Sequence, residues 1–147
     1  MIYTETGRYA VRALIHLADL GDGSMATAND IANAESIPPY YLAKVLKDLS
    51  AAGILSSIRG RGGGFQLSRP ANEISVLEVL QVAEDLSRRV EACVLGLDEC
   101  TEKAPCALHD YWAGFRERAL FTLAELTVAD LLADLKRKRA QLKGATS

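Results

Sequence analysis

The sequence predicts a mainly α-helical protein with one small β-hairpin, and three observations predict it. Apolar residues recur at intervals of three and four along most of the chain. Threonine or serine stands immediately before several of these runs, three times with an acid three positions on. One pair of short strand-like runs, "ILSSI" at 54–58 and "FQLS" at 65–68, encloses a glycine-rich turn. At 147 residues the chain is about one domain in size, and an apolar share of 49% with 24% charged excludes disorder.

A first helix opens near Thr4 or Thr6 and runs to about Leu20, with Val11, Leu14, Ile15 and Ala18 inward, and "GDGS" stops it. Thr27 caps a short second helix over Ala28–Glu35, with Ile31 on its inner face. "SIPPYY" is a turn whose prolines suit the first turn of a third helix, Pro39–Ala51. That helix points Leu42, Val45, Leu46 and Leu49 inward, and Gly53 stops it. Two helices joined by a tight turn, the second with an exposed polar face, form a helix-turn-helix. A hairpin directly after it is a wing. Residues 1–75 therefore read as a winged helix-turn-helix domain.

The second part, 76–147, opens with the capping-box pattern Ser75-x-x-Glu78 and a linker helix over 76–87. Residues 91–106 show no period, and Gly96 and Pro105 mark them as loop. A long amphipathic helix follows over 107–126, with Leu108, Tyr111, Trp112, Phe115, Ala119, Thr122 and Leu126 on one stripe. Thr127-x-x-Asp130 caps a short last helix that ends in "KRKRAQLKGATS".

The net charge is −2, which argues against indiscriminate nucleic-acid binding, but the charge is unevenly placed. Residues 36–69 hold Lys44, Lys47, Arg59, Arg61 and Arg69 against Asp48, a balance of +4. Residues 91–110 hold Glu91, Asp98, Glu99, Glu102 and Asp110 against Lys103, a balance of −4. The basic part has the right order for double-stranded DNA. Tyr40, Tyr41 and Lys44 fall in the first turns of the third helix, and Lys47 one turn later, where a recognition helix meets base edges and phosphates. Arg59 and Arg61 sit at the hairpin tip, where a narrow glycine-rich turn can carry arginine into a minor groove.

Glu5, Arg8, Arg12 and Asp19 interrupt the amino-terminal apolar run, and no window has the length of a membrane span. The expectation is a cytoplasmic protein with no membrane partner, whose three cysteines stay reduced. They lie at Cys93-x6-Cys100-x5-Cys106, with His109 one helical turn beyond the third. Wide spacing departs from the paired thiolates of a zinc ribbon and suits a larger object. Three thiolates and an imidazole supply the four ligands of a 2Fe–2S cluster. Free or redox-active thiols, with His109 on a helix surface, are the competing reading. His16, among apolar residues of the first helix, reads as a core or interface residue. No phosphate loop, nucleophile motif or carboxylate pair points to an enzyme.

"TGRYAVRALIHLA", "SIPPYYLAKVLKDLSAAGILSSIRGRGGGFQLSRP" and "ISVLEVLQVAED", followed by three cysteines, resemble the IscR/NsrR family of winged-helix transcription regulators over about residues 1–125. The resemblance implies a homodimer on a palindromic operator, with the helix over 107–126 as the dimerisation element. It implies Tyr40, Tyr41 and Lys44 on the recognition helix and Arg59 and Arg61 on the wing. The IscR-like branch holds 2Fe–2S with three cysteines and a following histidine, matched here by His109. The NsrR-like branch completes a 4Fe–4S cluster with an aspartate from the partner chain, and the matching position here is Arg8, with Glu5 nearby. The first cysteine gap is one residue longer than the IscR-like pattern, and Ala43 stands where that branch bears a glutamate. These departures bear on cluster type and operator preference. A DNA-binding repressor governed by thiols, zinc or a partner is the alternative of the same fold.

Overall fold

Thr4, Thr27 and Ser75 each accept a hydrogen bond from the backbone N–H three residues on, and so fix where three helices begin. The computed structural model describes residues 2–145. Helix α1 is Glu5–Leu20, α2 is Ala28–Glu35 and α3 is Pro39–Ala51. Strands β1 (Leu55–Ile58) and β2 (Gly64–Leu67) pair antiparallel, Leu55 opposite Leu67 and Ile58 opposite Gly64. After a 3-10 turn, Ala71–Glu73, come α4 (Val76–Glu84), α5 (Leu86–Glu91), α6 (His109–Glu125) and α7 (Val128–Ala145). The fold is a winged helix with a helical extension, as the apolar periods predict.

Helix α1 is central, with α2, α3, α4, α7 and β2 packed on it. Its Ala10, Ala13, Leu14 and Leu17 meet Ile31, Leu42, Leu46 and Leu49 in one core that also takes in Ile74, Val79 and Val128. A second cluster joins Val76, Leu80, Leu86 and Val90, with Leu120, Leu123 and Leu126 of the carboxyl half against it. Two backbone ties join the start of α4 to the junction of α6 and α7. Val76 N–H donates to Leu126 O at 2.8 Å, and Val128 N–H to Ile74 O at 2.9 Å. From α4, Glu84 accepts from the N–H groups of Thr4 (2.9 Å) and Gly7 (3.2 Å), placing a carboxylate at the amino end of α1.

Three boundaries differ from the sequence reading. The linker helix breaks at Asp85, which sits in the left-handed region at φ 50° and ends α4 while starting α5. A short polar residue tolerates that conformation, and the Gln81 side chain accepts from Ser87 N–H across the break at 2.8 Å. The irregular loop extends over 92–108, two residues further than its composition indicates, so α6 begins at His109. The last helix is long, 18 residues. Its Thr127–Asp130 capping box and its partly buried Leu131 outweigh the charge run that made it look short.

Candidate DNA-binding surface and cysteine loop

Helix α3 turns one face inward and leaves the other free, as its apolar spacing requires. Leu42, Val45, Leu46 and Leu49 are buried, while Tyr40 is 86% exposed, Tyr41 58%, and Lys44 and Lys47 are exposed as well. The two tyrosine rings meet edge to face, their centroids 6.5 Å apart. Pro38 and Pro39 open the helix with no side-chain cap, so its first N–H groups stay available. Ala43 is exposed on the same helix.

The wing is held to the helix-turn-helix by an isolated bridge between Ala26 and Phe65, with hydrogen bonds of 3.0 and 2.8 Å. Glycine is needed where this bridge meets the turn. A Cβ on Gly64 would lie 2.5 Å from Ala26 O, at φ +144°, and one on Gly63 would strike the Ile58 carbonyl. The turn thereby folds tightly and leaves Arg59 and Arg61 exposed at its tip. Arg69 does something else: it pairs with Glu78, and its Nε donates to Glu73 O at 3.1 Å. One of the five cations of the basic segment therefore locks the wing to α4.

The cysteine loop brings two of its donors together. Cys100 Sγ lies 3.4 Å from His109 Nδ1. The N–H groups of Leu97 and Leu95 hold the Cys93 thiol below its ordinary range. All three cysteines are free and half-buried, whereas His109 is only 7% exposed. Among the described residues no three such donors converge on one point. The donor set, soft thiolates and an imidazole on one loop and the adjoining helix turn, suits iron or zinc chemistry. Gathering all four requires Cys93 and Cys106 to close on Cys100 and His109.

Two tethers of this loop escaped the sequence reading. Trp112 Nε1 donates to Ala92 O at 3.1 Å, and Arg116 Nη1 to Val90 O at 3.4 Å. They anchor the start of the loop to α6. The lone tryptophan beside the cysteines was a signal, although its place on the apolar stripe read only as packing; Arg116 gave none. Glu5 forms an ion pair with Arg8 on α1. His16 is half-buried, its Nδ1 3.3 Å from Glu35 Oε1, while Arg12 holds the same carboxylate at 3.3 Å.

Along α6, Tyr111 is 71% exposed, Phe121 68% and Phe115 40%, and the Trp112 and Phe115 rings stack at 5.5 Å. None of the described helices is long and apolar enough to cross a membrane.

Known proteins with this arrangement agree with one another. The HTH-type transcriptional regulator NsrR of Geobacillus kaustophilus is 34% identical over 141 residues, 96% of this chain and 94% of that protein. An HTH-type transcriptional regulator of Mycobacterium tuberculosis, Rv1287, is 36% identical over 124 residues, 84% of this chain and 76% of that one. Among solved structures, CymR, the global cysteine regulator of B. subtilis, superposes with a TM-score of 0.73 at 25% identity, over 88% of this chain and 95% of CymR. T. potens IscR shares the fold at a TM-score of 0.70 and 23% identity, over 90% of this chain and 86% of IscR. These relatives are regulators of transcription and not enzymes. The Rrf2 family profile, described as an iron-dependent transcriptional regulator, matches residues 3–134, and the chain belongs to that family.

Proposed function

We propose that this regulator works as a homodimer on a palindromic operator in the cytoplasm and senses iron–sulfur or redox status through Cys93, Cys100, Cys106 and His109. The observation that carries the reading is the 3.4 Å approach of Cys100 Sγ to the buried His109 Nδ1. An imidazole withdrawn from water beside a half-buried thiol is oriented as a ligand would be. A 2Fe–2S group held by this set supplies one-electron chemistry and a dependence on iron supply. The residues do the coupling. Gathering Cys93 and Cys106 toward Cys100 and His109 pulls on the start of α6, to which Trp112 and Arg116 tie the loop.

A signal changes DNA affinity only if the two loop states differ in the free energy of the DNA-competent arrangement. Exposed Tyr111 and Phe115 on α6 support that helix as the contact between protomers, so a shift there alters the spacing of two recognition helices. On each protomer, Tyr40, Tyr41, Lys44 and Lys47 face the major groove while Arg59 and Arg61 reach beside it.

Purified without oxygen, the protein is expected to be coloured and to contain about two irons and two sulfides per chain. About four irons would point to the 4Fe–4S alternative. Its non-cysteine ligand would then be His109 or Glu5, since Arg8 cannot ligate. His109→Ala is expected to lose the colour and the redox response of DNA binding while the fold is kept. A colourless, iron-free wild type sinks the cluster reading. Three free, half-buried cysteines, with the Cys93 thiol held below its ordinary range by the Leu97 and Leu95 N–H groups, favour thiol switching as the second reading, in which His109→Ala is silent and Cys93→Ser or Cys106→Ser abolishes the response.

A further inference from the structure

A basic turn of α7 lies outside both the recognition helix and the wing. Residues 135–147 contain Lys136, Arg137, Lys138, Arg139 and Lys143 and no acid. Two of these charges are neutralised within the chain: Lys136 meets Asp19 at 3.0 Å, and Arg137 meets Asp134 at 2.7 Å. Lys138 and Arg139 are exposed, and neither has an ion-pair partner among the described residues.

Position separates these two from an ordinary solvated face. They line a cleft of about 380 Å³ together with Arg12 of α1 and Glu35 of α2. Glu35 is the last residue of α2, and Pro38 stands at the start of α3. Two carboxylates also line the cleft, Glu35, engaged by Arg12 and His16, each at 3.3 Å, and Asp134, engaged by Arg137 at 2.7 Å, so both offer little opposition to an incoming anion. Unpaired positive charge on α7 therefore borders the turn that leads into the recognition helix. If α3 reads DNA with its amino-terminal turns, the turn that precedes it lies close to the duplex, whose backbone carries one negative charge per phosphate.

We propose that Lys138 and Arg139 contact the phosphodiester backbone of the duplex flanking the bases read by α3. The contact rests on α3 being the recognition helix. It lengthens the footprint and adds affinity without adding base specificity, because phosphates are the same at every sequence.

The experiment uses the full chain and a duplex that the wild type selects from a random library. Lys138→Gln/Arg139→Gln is compared with wild type on the selected site with about ten flanking base pairs, and on the trimmed core. On the long duplex the variant is expected to bind about tenfold more weakly, with a salt slope smaller by about two per protomer. On the trimmed core the two proteins are expected to bind alike, with the same base preferences. Equal melting temperatures are expected, since both side chains are exposed and unpaired. An unchanged salt slope on the long duplex overturns the proposal. So does an equal loss from Lys136→Gln/Arg137→Gln, which would mean that net charge alone matters. A wild type that selects no duplex overturns the reading of α3 as well, whereas a variant indistinguishable from wild type on a selected duplex overturns this proposal alone.

Discussion

At the scale of single residues, the determining positions are those where one atom more or less changes the backbone. Gly64 is the sharpest case, because its φ of +144° and the 2.5 Å approach to Ala26 O exclude a Cβ on two independent grounds. Gly64→Ala is expected to destabilise the protein by about 1–3 kcal/mol, read from the denaturant midpoint, and to loosen the wing. An unchanged midpoint would mean that the Ala26–Phe65 bridge does not hold the wing. The glycines were visible in "RGRGGG", and so was the fact of a turn. Which of them face a carbonyl was not, since that depends on Ala26, almost forty residues away in sequence. The same limit applied to Arg69. It counted as one more cation until the fold set it against Glu78.

At the scale of elements, helix starts were legible and helix breaks were not. Caps act over three residues, so Thr27, Ser75 and Thr127 announced themselves, whereas the left-handed Asp85 is held by a Gln81–Ser87 contact that no local pattern predicts. The caps also set a pH dependence. Asp30 and Asp130 are held below the ordinary aspartate value by hydrogen bonds from Thr27 and Thr127. For Glu78, partial burial pushes upward but is outweighed by the Ser75 N–H and by Arg69, so its net shift is also downward. A carboxylate with a depressed folded-state pKa stabilises fully above its unfolded value and loses that contribution as pH falls through the folded value. Stability is therefore expected to be level above about pH 5 and to decline below it. Ser75→Ala is expected to cost about 1 kcal/mol at neutral pH and to flatten part of that acid decline in melting-temperature profiles. A steeper decline in the variant would contradict the assignment.

At the scale of the whole molecule, α6 is the element that leaves large aromatic side chains exposed. It begins with a buried histidine, yet carries Tyr111, Phe115 and Phe121 outward, an arrangement that a solitary helix in water does not favour. Sedimentation is expected to give a mass near twice the 15.9 kDa of the chain. Tyr111→Glu/Phe115→Glu is expected to give a folded monomer by circular dichroism, with operator affinity reduced at least about a hundredfold because two half-sites are no longer bound together. A variant that remains dimeric would move the interface elsewhere. The stripe on α6 was plain in the sequence, but whether it was core or surface was not, since a helical period is the same in both cases.

The sequence by itself determined the order of the elements, the third helix with its inner and outer faces, the tight arginine turn and a loop of three cysteines followed by a histidine. Each of these depends on neighbours within a few residues, through capping, periodicity or spacing. Tertiary structure alone decided that Cys100 meets His109, that Trp112 ties the loop to α6, and that the basic turn of α7 comes to rest beside the end of α2. Those outcomes depend on how α4, α6 and α7 pack around α1, and packing joins residues that the chain keeps far apart.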